Sequence, residues 1–173
     1  RAFEALRSVG TNAAAILAAS DATLAAVTAH GILATTFAGK LRECARILRD
    51  EFPAGLDAVL KGPLPEARRA LQRFPGIGLP GAERVLLMSG HAALLAPESN
   101  GLRVLVRLGL VREHGSYAKT YAASQAVTQT LPAEVAVLRN AHGLLRHHGE
   151  SLCKRTAPRC GDCPLHSGCE YAV

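Results

Sequence analysis

The chain has 173 residues, enough for one compact unit or two small lobes with a real core. Hydrophobic residues make up 49% of it and aromatic residues only 4%, without tryptophan, a balance that favours packed helices over a β-sandwich. The formal charge of +6 fits a polyanionic partner, and no apolar run is long enough to cross a bilayer.

Helical periodicity runs along the whole chain, with no repeat and no low-complexity linker. The clearest amphipathic pattern covers residues 38–52, where Cys44 lies on the apolar stripe and is interpreted as a core thiol. Helices are predicted over residues 1–19 (one or two), 22–29, 38–52, 56–60, 65–73, 80–89, 101–110, 116–129 and 132–148.

A turn rich in glycine joins two of these helices at residues 75–78, with the sequence Pro-Gly-Ile-Gly. Glycine enters left-handed conformations freely, and Pro80 suits the first turn of the following helix, where no backbone donor is needed. An ordinary αα-turn would explain these residues. A hairpin that directs backbone N–H groups at a phosphate, without reading base identity, is the functional interpretation.

Four cysteines near the C-terminus have the spacing C-x6-C-x2-C-x5-C: Cys153, Cys160, Cys163 and Cys169. Four thiolates can hold an iron–sulfur cluster or a zinc ion. Zinc sites more often use two C-x2-C pairs, and this segment has one. Two disulfides are a third interpretation, disfavoured because the first residues do not resemble a secretory signal and Cys44 makes the count odd. The spacing favours the cluster, then zinc, then disulfides.

These cysteines, with the basic residues Lys154, Arg155 and Arg159 between the first two, resemble the iron–sulfur loop of the endonuclease III family of base-excision DNA glycosylases, including its adenine-mismatch branch. The segment around residues 75–78 resembles the family's helix–hairpin–helix motif. The resemblance covers most of the chain from about Lys40 onward.

The resemblance implies an all-α fold of two helical lobes, with residues 1–95 carrying the helix–hairpin–helix motif and residues 96–173 carrying the iron–sulfur loop. It also implies that the four C-terminal cysteines bind one [4Fe–4S] cluster, without Cys44. The DNA-binding residues that it implies are Gly76, Ile77, Gly78, Arg103, Lys154, Arg155 and Arg159.

Two catalytic positions depart from the family pattern. Members with lyase activity have a lysine at the second residue after the hairpin, where this chain has Pro80, which has no amine to form a Schiff base. The adenine-mismatch branch also lacks this lysine and cuts only the glycosidic bond. The family's catalytic aspartate matches Glu98, one methylene longer, whose electrostatic role is sensitive to position. A helix-terminal acid that interacts with the helix dipole is the alternative interpretation of Glu98.

The N-terminal region departs as well, because residues 8–15 contain no glutamine to fill the gap left by an extruded base, and Glu4 matches the adenine branch's glutamate only loosely. The sequence therefore predicts a DNA-binding member of the superfamily without abasic-site lyase activity and with degenerate catalysis. The alternative is a monofunctional N-glycosylase that uses Glu98 and a water nucleophile. A cluster-bearing electron-transfer protein is the third hypothesis, and the hairpin argues against it.

The expected partner is double-stranded DNA, including damaged or abasic duplex, and the expected cofactor is a [4Fe–4S] cluster. We expect a monomer without membrane association, located in the cytoplasm and, if the protein is bacterial, at the nucleoid. The lesion specificity depends on pocket side chains in the poorly matching N-terminal part.

Overall fold

Helices account for all of the regular secondary structure in the computed structural model, which describes residues 1–31 and 33–172. No β-strand occurs in this part of the chain, so the all-α prediction is confirmed. The helices are α1 (Ala2–Val9), α2 (Ala13–Ala18), α3 (Asp21–Thr28), α4 (Ala34–Glu51), α5 (Asp57–Leu60), α6 (Leu64–Leu71), α7 (Leu79–Ser89), α8 (Ser99–Arg107), α9 (Tyr117–Thr128) and α10 (Val135–Ser151), followed by two 3₁₀ turns, η1 (Cys160–Asp162) and η2 (His166–Gly168).

Two compact units divide the chain, Arg1–Ile77 and Gly78–Val173. The boundary predicted between residues 95 and 96 falls inside the second of these units, and the assignment of functional lobes to 1–95 and 96–173 stays a prediction. No helix in the described residues is both long and apolar enough to cross a membrane.

The first unit is organised around α4, which packs against α2 and α3. Side chains cap the two short helices, since Asn12 Oδ1 accepts from the N–H of Ala15 and Ser20 Oγ accepts from the N–H of Thr23. Cys44 on α4 is half-buried, and burial raises the pKa of its thiol.

The second unit packs α8 against α10, with α7 and α9 completing its core. Gly149 on α10 lies directly against the backbone of Asn100, because a β-carbon at Gly149 would lie 2.6 Å from the Asn100 carbonyl oxygen. The buried apolar cluster of this unit consists of Leu87, Leu95, Ala96, Leu102, Leu105, Val111, Tyr121 and Leu138.

A buried carboxylate also lies in this core. Glu83 on α7 is 1% exposed, and it accepts hydrogen bonds from the hydroxyl of Tyr121 and from Nε2 of Gln125 at 3.4 Å. Burial, reinforced by the hydrogen bond to Glu83, raises the pKa of Tyr121 far above its usual value. Hydrogen bonds therefore connect α7 to α9 inside an otherwise apolar core.

Candidate cluster site and DNA-binding surface

The four C-terminal cysteines line one open cavity. Cys153 follows the end of α10, Cys160 begins η1, Cys163 follows η1, and Cys169 follows η2. All of them are free thiols, and Cys44 is not among the residues that line the cavity. The structure thus brings together the four cysteines identified from the sequence.

Four thiols that line one cavity are a donor set that suits an iron–sulfur cluster or a zinc ion. In residues 1–31 and 33–172, no group of three His, Cys, Asp or Glu side chains is placed to hold a single metal ion. A [4Fe–4S] cluster bound by these four cysteines stays a prediction.

Apolar side chains and two histidines complete the cavity wall. Nε2 of His148 lies 3.6 Å from Sγ of Cys163, and Nδ1 of His166 lies 3.1 Å from the carbonyl oxygen of Cys160. Burial lowers the pKa of His148, with a smaller contribution from the neighbouring His147. The apolar part of the wall, which limits the access of water to the thiols, consists of Val104, Leu108, Leu152, Pro158 and Ala172.

Arg107 on α8 connects the helix to the loop between the first two cysteines. Its Nη1 donates to the Lys154 carbonyl at 2.7 Å and lies 3.5 Å from Sγ of Cys153, and its Nη2 donates to the Arg155 carbonyl at 3.2 Å. The guanidinium also lies 4.2 Å from the ring centroid of Tyr171. The sequence analysis missed this residue, although it lies one helical turn after Arg103 on the same face.

Arg103, predicted to bind DNA, also makes internal contacts in the structure. Its Nε donates to the Cys153 carbonyl at 2.9 Å, and its Nη2 donates to the Gly149 carbonyl and to Oδ1 of Asn100, both at 2.8 Å. The Nη1 group has no hydrogen-bond partner within the described part of the chain. Most of the guanidinium therefore positions the loop against α8 and α10, and a DNA contact through Nη1 stays a prediction.

Glu98 is the N-cap of α8. Its Oε1 accepts from the N–H of Gly101 at 2.8 Å, and its Oε2 accepts from Nδ2 of Asn100 at 3.0 Å. Burial raises the pKa of this carboxyl, but hydrogen bonds from Asn100, Gly101 and Ser99 outweigh the effect and hold the pKa below its usual value. Glu98 is therefore an ionised carboxylate with a fixed orientation. The sequence alternative, an acid at the helix N-terminus, agrees with this position, although the hydrogen-bonded cap itself was not predicted. A catalytic role stays a prediction.

The turn that presents Glu98 has an unusual backbone. Ala96 has φ +43°, in the left-handed region, and it precedes Pro97. Nδ1 of His142, a buried side chain on α10, lies 3.0 Å from the Ala96 carbonyl oxygen. Because this turn is buried and hydrogen-bonded, it fixes the direction in which Glu98 leaves the core.

The hairpin at residues 75–78 joins α6 to α7. Gly76 has φ +87°, which favours glycine, and the N–H of Ile77 donates to the Phe74 carbonyl at 3.1 Å. Gly78 is the N-cap of α7, and both glycines are exposed. The hairpin therefore exposes its backbone, as a phosphate contact requires.

Pro80 lies in the first turn of α7, as the sequence predicted. A helix tolerates proline there because the N–H groups of the first turn have no intrahelical acceptor. The side chain at residue 80 therefore has no nucleophile, and its correspondence to the family's lysine position stays a prediction.

The loop between Cys153 and Cys160 carries the three predicted basic residues, and all three are exposed. Arg159 forms an exposed ion pair with Asp162, at 2.7 Å from Nη2 to Oδ2. Such a pair contributes little to stability and exchanges easily for another anion. Lys154 and Arg155 are held through their carbonyl groups by Arg107, so their side chains extend from a fixed backbone.

Comparisons with known proteins find similarities in sequence and in fold, although no family model matches the chain. Endonuclease III of Escherichia coli (strain K12) is 30% identical over 110 residues, which cover 64% of this chain and 49% of that protein. Endonuclease III of Bacillus subtilis (strain 168) is 30% identical over 108 residues, or 62% and 47% of the two chains. The match therefore spans about half the length of these relatives.

Solved structures share the fold over nearly the whole chain. A trapped endonuclease III–DNA covalent intermediate has a TM-score of 0.77 at 20% identity, and a thermostable thymine-DNA glycosylase has 0.79 at 18%; each covers 99% of this chain and 74% of the other. A non-covalent endonuclease III–DNA complex has a TM-score of 0.78 with the same coverage. The chain is therefore similar in sequence to endonuclease III over about half of that protein's length, and it shares the fold of these solved structures.

Proposed function

We propose that this protein binds double-stranded DNA, including damaged or abasic duplex, and has no abasic-site lyase activity. The observation that carries the proposal is the position of Pro80 in the first turn of α7, directly after an exposed hairpin of the DNA-binding type. The DNA-binding features of the superfamily are retained, while the amine that would react with the sugar is missing.

Two separate segments would contact DNA, the hairpin and the basic loop. Backbone N–H groups at Gly76 and Gly78 suit phosphate oxygens, and the side chains of Lys154, Arg155 and Arg159 add charge without base recognition. Affinity should therefore fall steeply with salt and depend little on sequence.

A [4Fe–4S] cluster bound by Cys153, Cys160, Cys163 and Cys169 would hold this loop in place. The four iron–thiolate bonds would couple the ordering of the loop to metal binding. Arg107 and Arg103 would then hold the loop backbone from the α8 side, through the Cys153, Lys154 and Arg155 carbonyl groups.

The proposed lack of lyase activity follows from the absence of an amine in the side chain at residue 80. β-Elimination at an abasic site begins when an amine nitrogen attacks C1′ and forms a Schiff base with loss of water. Proline in a peptide has no free amine, so Pro80 cannot supply that nitrogen. Borohydride, which reduces a Schiff base to a stable adduct, should trap no covalent complex.

A monofunctional N-glycosylase is the second candidate, favoured by the fixed and ionised Glu98. A carboxylate with a lowered pKa suits the electrostatic stabilisation of positive charge at the sugar better than proton removal from water. If any base is excised, the product should be an intact abasic site that only alkali converts into a strand break.

Fluorescence anisotropy with duplexes that contain or lack an abasic site tests binding. The matched variants are Arg159→Ala and Arg146→Ala, since both arginines form exposed ion pairs and their side chains are 57% and 58% exposed. Arg159→Ala should reduce the salt slope by roughly 0.9 for every duplex, and Arg146→Ala should leave it unchanged. Equal slopes for the two variants would contradict a role for the loop.

A borohydride trapping assay and a glycosylase assay over a panel of lesions test the chemistry. The double variant Pro80→Lys with Glu98→Asp restores the family pattern and should give a trappable adduct if the surrounding geometry is retained. Efficient strand cleavage by the unmodified protein would overturn the proposal.

A further inference from the structure

Lys40 on α4 lies beside the hairpin, 36 positions away in the sequence. Its Nζ lies 3.7 Å from the point that a β-carbon on Gly76 would occupy. Nζ also lies 5.3 Å from the centroid of the Phe37 ring, one turn earlier on α4. The half-buried side chain is therefore held with its ammonium group against the exposed backbone of the hairpin.

This ammonium group has no carboxylate partner in residues 1–31 and 33–172. Lys61, in the same unit, differs: its Nζ forms an ion pair with Oδ2 of Asp57 at 2.5 Å. The N–H of Gly76 also has no acceptor within the described residues. In the described residues, an ammonium group without a carboxylate partner thus lies next to an N–H donor without an acceptor, beside an exposed turn.

We propose that Lys40 and the N–H of Gly76 together bind one DNA phosphate at the hairpin. Phosphate accepts both a charge-assisted hydrogen bond from an ammonium group and a backbone hydrogen bond, and a lysine suits it as a point charge. The inference rests on the proposed DNA binding. Lys40 supplies a positive charge for the phosphate at the hairpin. Pro80, which follows the hairpin, has no charged side chain.

The chain has only four lysines, so each can be followed separately. The experiment compares acetylation of the lysine side chains by mass spectrometry in the free protein and in a complex with an undamaged duplex, after anisotropy has shown saturation. Lys40 and Lys154 should be protected in the complex. Lys61 and Lys119, which are exposed and outside the proposed surface, serve as internal controls and should react equally in both samples.

The pattern of protection separates this inference from the proposed function. Protection of Lys154 with unchanged labelling of Lys40 would overturn the role of Lys40 and leave the loop contact in place. Absence of both saturable binding and protection would mean that the proposed function itself is wrong. Protection of Lys61 to the same degree as Lys40 would indicate general coverage of the surface and would overturn a specific contact.

Variants provide an independent measurement. Lys40→Met should reduce the salt slope of duplex binding by roughly 0.9, which corresponds to an affinity loss of about five-fold at 0.15 M salt. Lys40→Arg should retain most of the slope, because it keeps the charge. Lys61→Met is the matched control and should bind like the unmodified protein. Thermal melting should be the same for all three variants, and a Lys40→Met variant with an unchanged slope would overturn the proposal.

Discussion

The two units differ in how they bury polar groups. In the first unit, the central cluster consists of Ile16, Leu24 and Ala45, surrounded by further alanines and by partly exposed side chains. In the second unit, a larger apolar cluster is accompanied by buried polar residues. The buried polar or charged side chains in the described residues all lie in this unit: Glu83, Thr120, Ser124 and His142.

This difference follows the distribution of the candidate site. The second unit carries all four C-terminal cysteines and Glu98, and its buried hydrogen bonds fix the segments that position them. Buried polar networks favour a single arrangement of their side chains, because a buried donor or acceptor without a hydrogen bond costs free energy. The first unit contains simple helix packing and contributes exposed charge. We therefore expect the second unit to tolerate substitutions less well.

The largest effect is expected for Gly149→Ala. The new β-carbon would lie 2.6 Å from the Asn100 carbonyl oxygen, so α8 and α10 would have to move apart, at a cost of about 2–3 kcal/mol in the free energy of unfolding. Urea denaturation measures this cost. Gly143→Ala on the same helix is the matched control.

Gly143 has no atom within 4 Å of its β-carbon position and lies inside α10. Alanine there should stabilise the protein by roughly 0.5–1 kcal/mol, because glycine is a poor helix former. Similar effects of the two substitutions would show that the close contact between α8 and α10 does not limit the second unit.

The next effect is expected for Tyr121→Phe, which leaves the Glu83 carboxylate without its hydroxyl donor. The loss should be about 1–3 kcal/mol at neutral pH. Because the folded state raises the pKa of Tyr121, its contribution is complete below the unfolded value near pH 10 and is lost as the pH rises beyond it. Above about pH 10, stability should therefore fall more steeply for the unmodified protein than for the variant. Parallel curves would contradict the buried pair.

A smaller effect is expected for Glu98→Ala, which removes the N-cap of α8 and should cost about 1 kcal/mol. Glu98→Asp should keep most of the cap. The lowered pKa of Glu98 means that its stabilisation is present above about pH 4.3 and is lost as the pH falls through the folded value. Acid titration of stability for the two variants measures both effects. A stability loss for Glu98→Ala that is independent of pH would show that the carboxylate is not the cap.

The smallest effect is expected in the first unit, for Arg42→Met. Arg42 donates to the carbonyl groups of Leu17 and Ala19 at 3.2 and 3.0 Å, but its ion partner Asp21 is almost fully exposed. Water can replace such contacts, so the cost should be below about 1 kcal/mol. A loss in urea denaturation as large as that of Tyr121→Phe would remove the contrast between the two units.

Much of the fold could be predicted because its signals are local. The helix predicted over residues 38–52 is α4 (Ala34–Glu51), and the helix predicted over 101–110 is α8 (Ser99–Arg107). Helical periodicity, caps and the glycine turn depend on neighbouring residues. The cysteine spacing is also local, so the cavity could be anticipated from the sequence.

The contacts that could not be predicted join residues far apart in the chain. Arg107 and the Cys153 sulfur are 46 positions apart, and Tyr121 and Glu83 are 38 apart. The local sequence around an arginine on a polar helix face, or around a glutamate in a helix, is the same whether the side chain contacts water or a residue far away in the chain. The proximity of Lys40 to Gly76, 36 positions apart, was missed for the same reason.

One backbone hydrogen bond, from the N–H of Arg159 to the carbonyl of Leu152 at 2.9 Å, joins the two ends of the basic loop. Residues 153–158 therefore leave and rejoin the fold at almost the same point. Loop-closure entropy grows slowly with length, by about 0.6 kcal/mol for each doubling, so the loop can be lengthened at little cost. Residues inserted after Arg155 would leave the helices and the closing hydrogen bond in place, and the charge of the loop can vary independently of the scaffold.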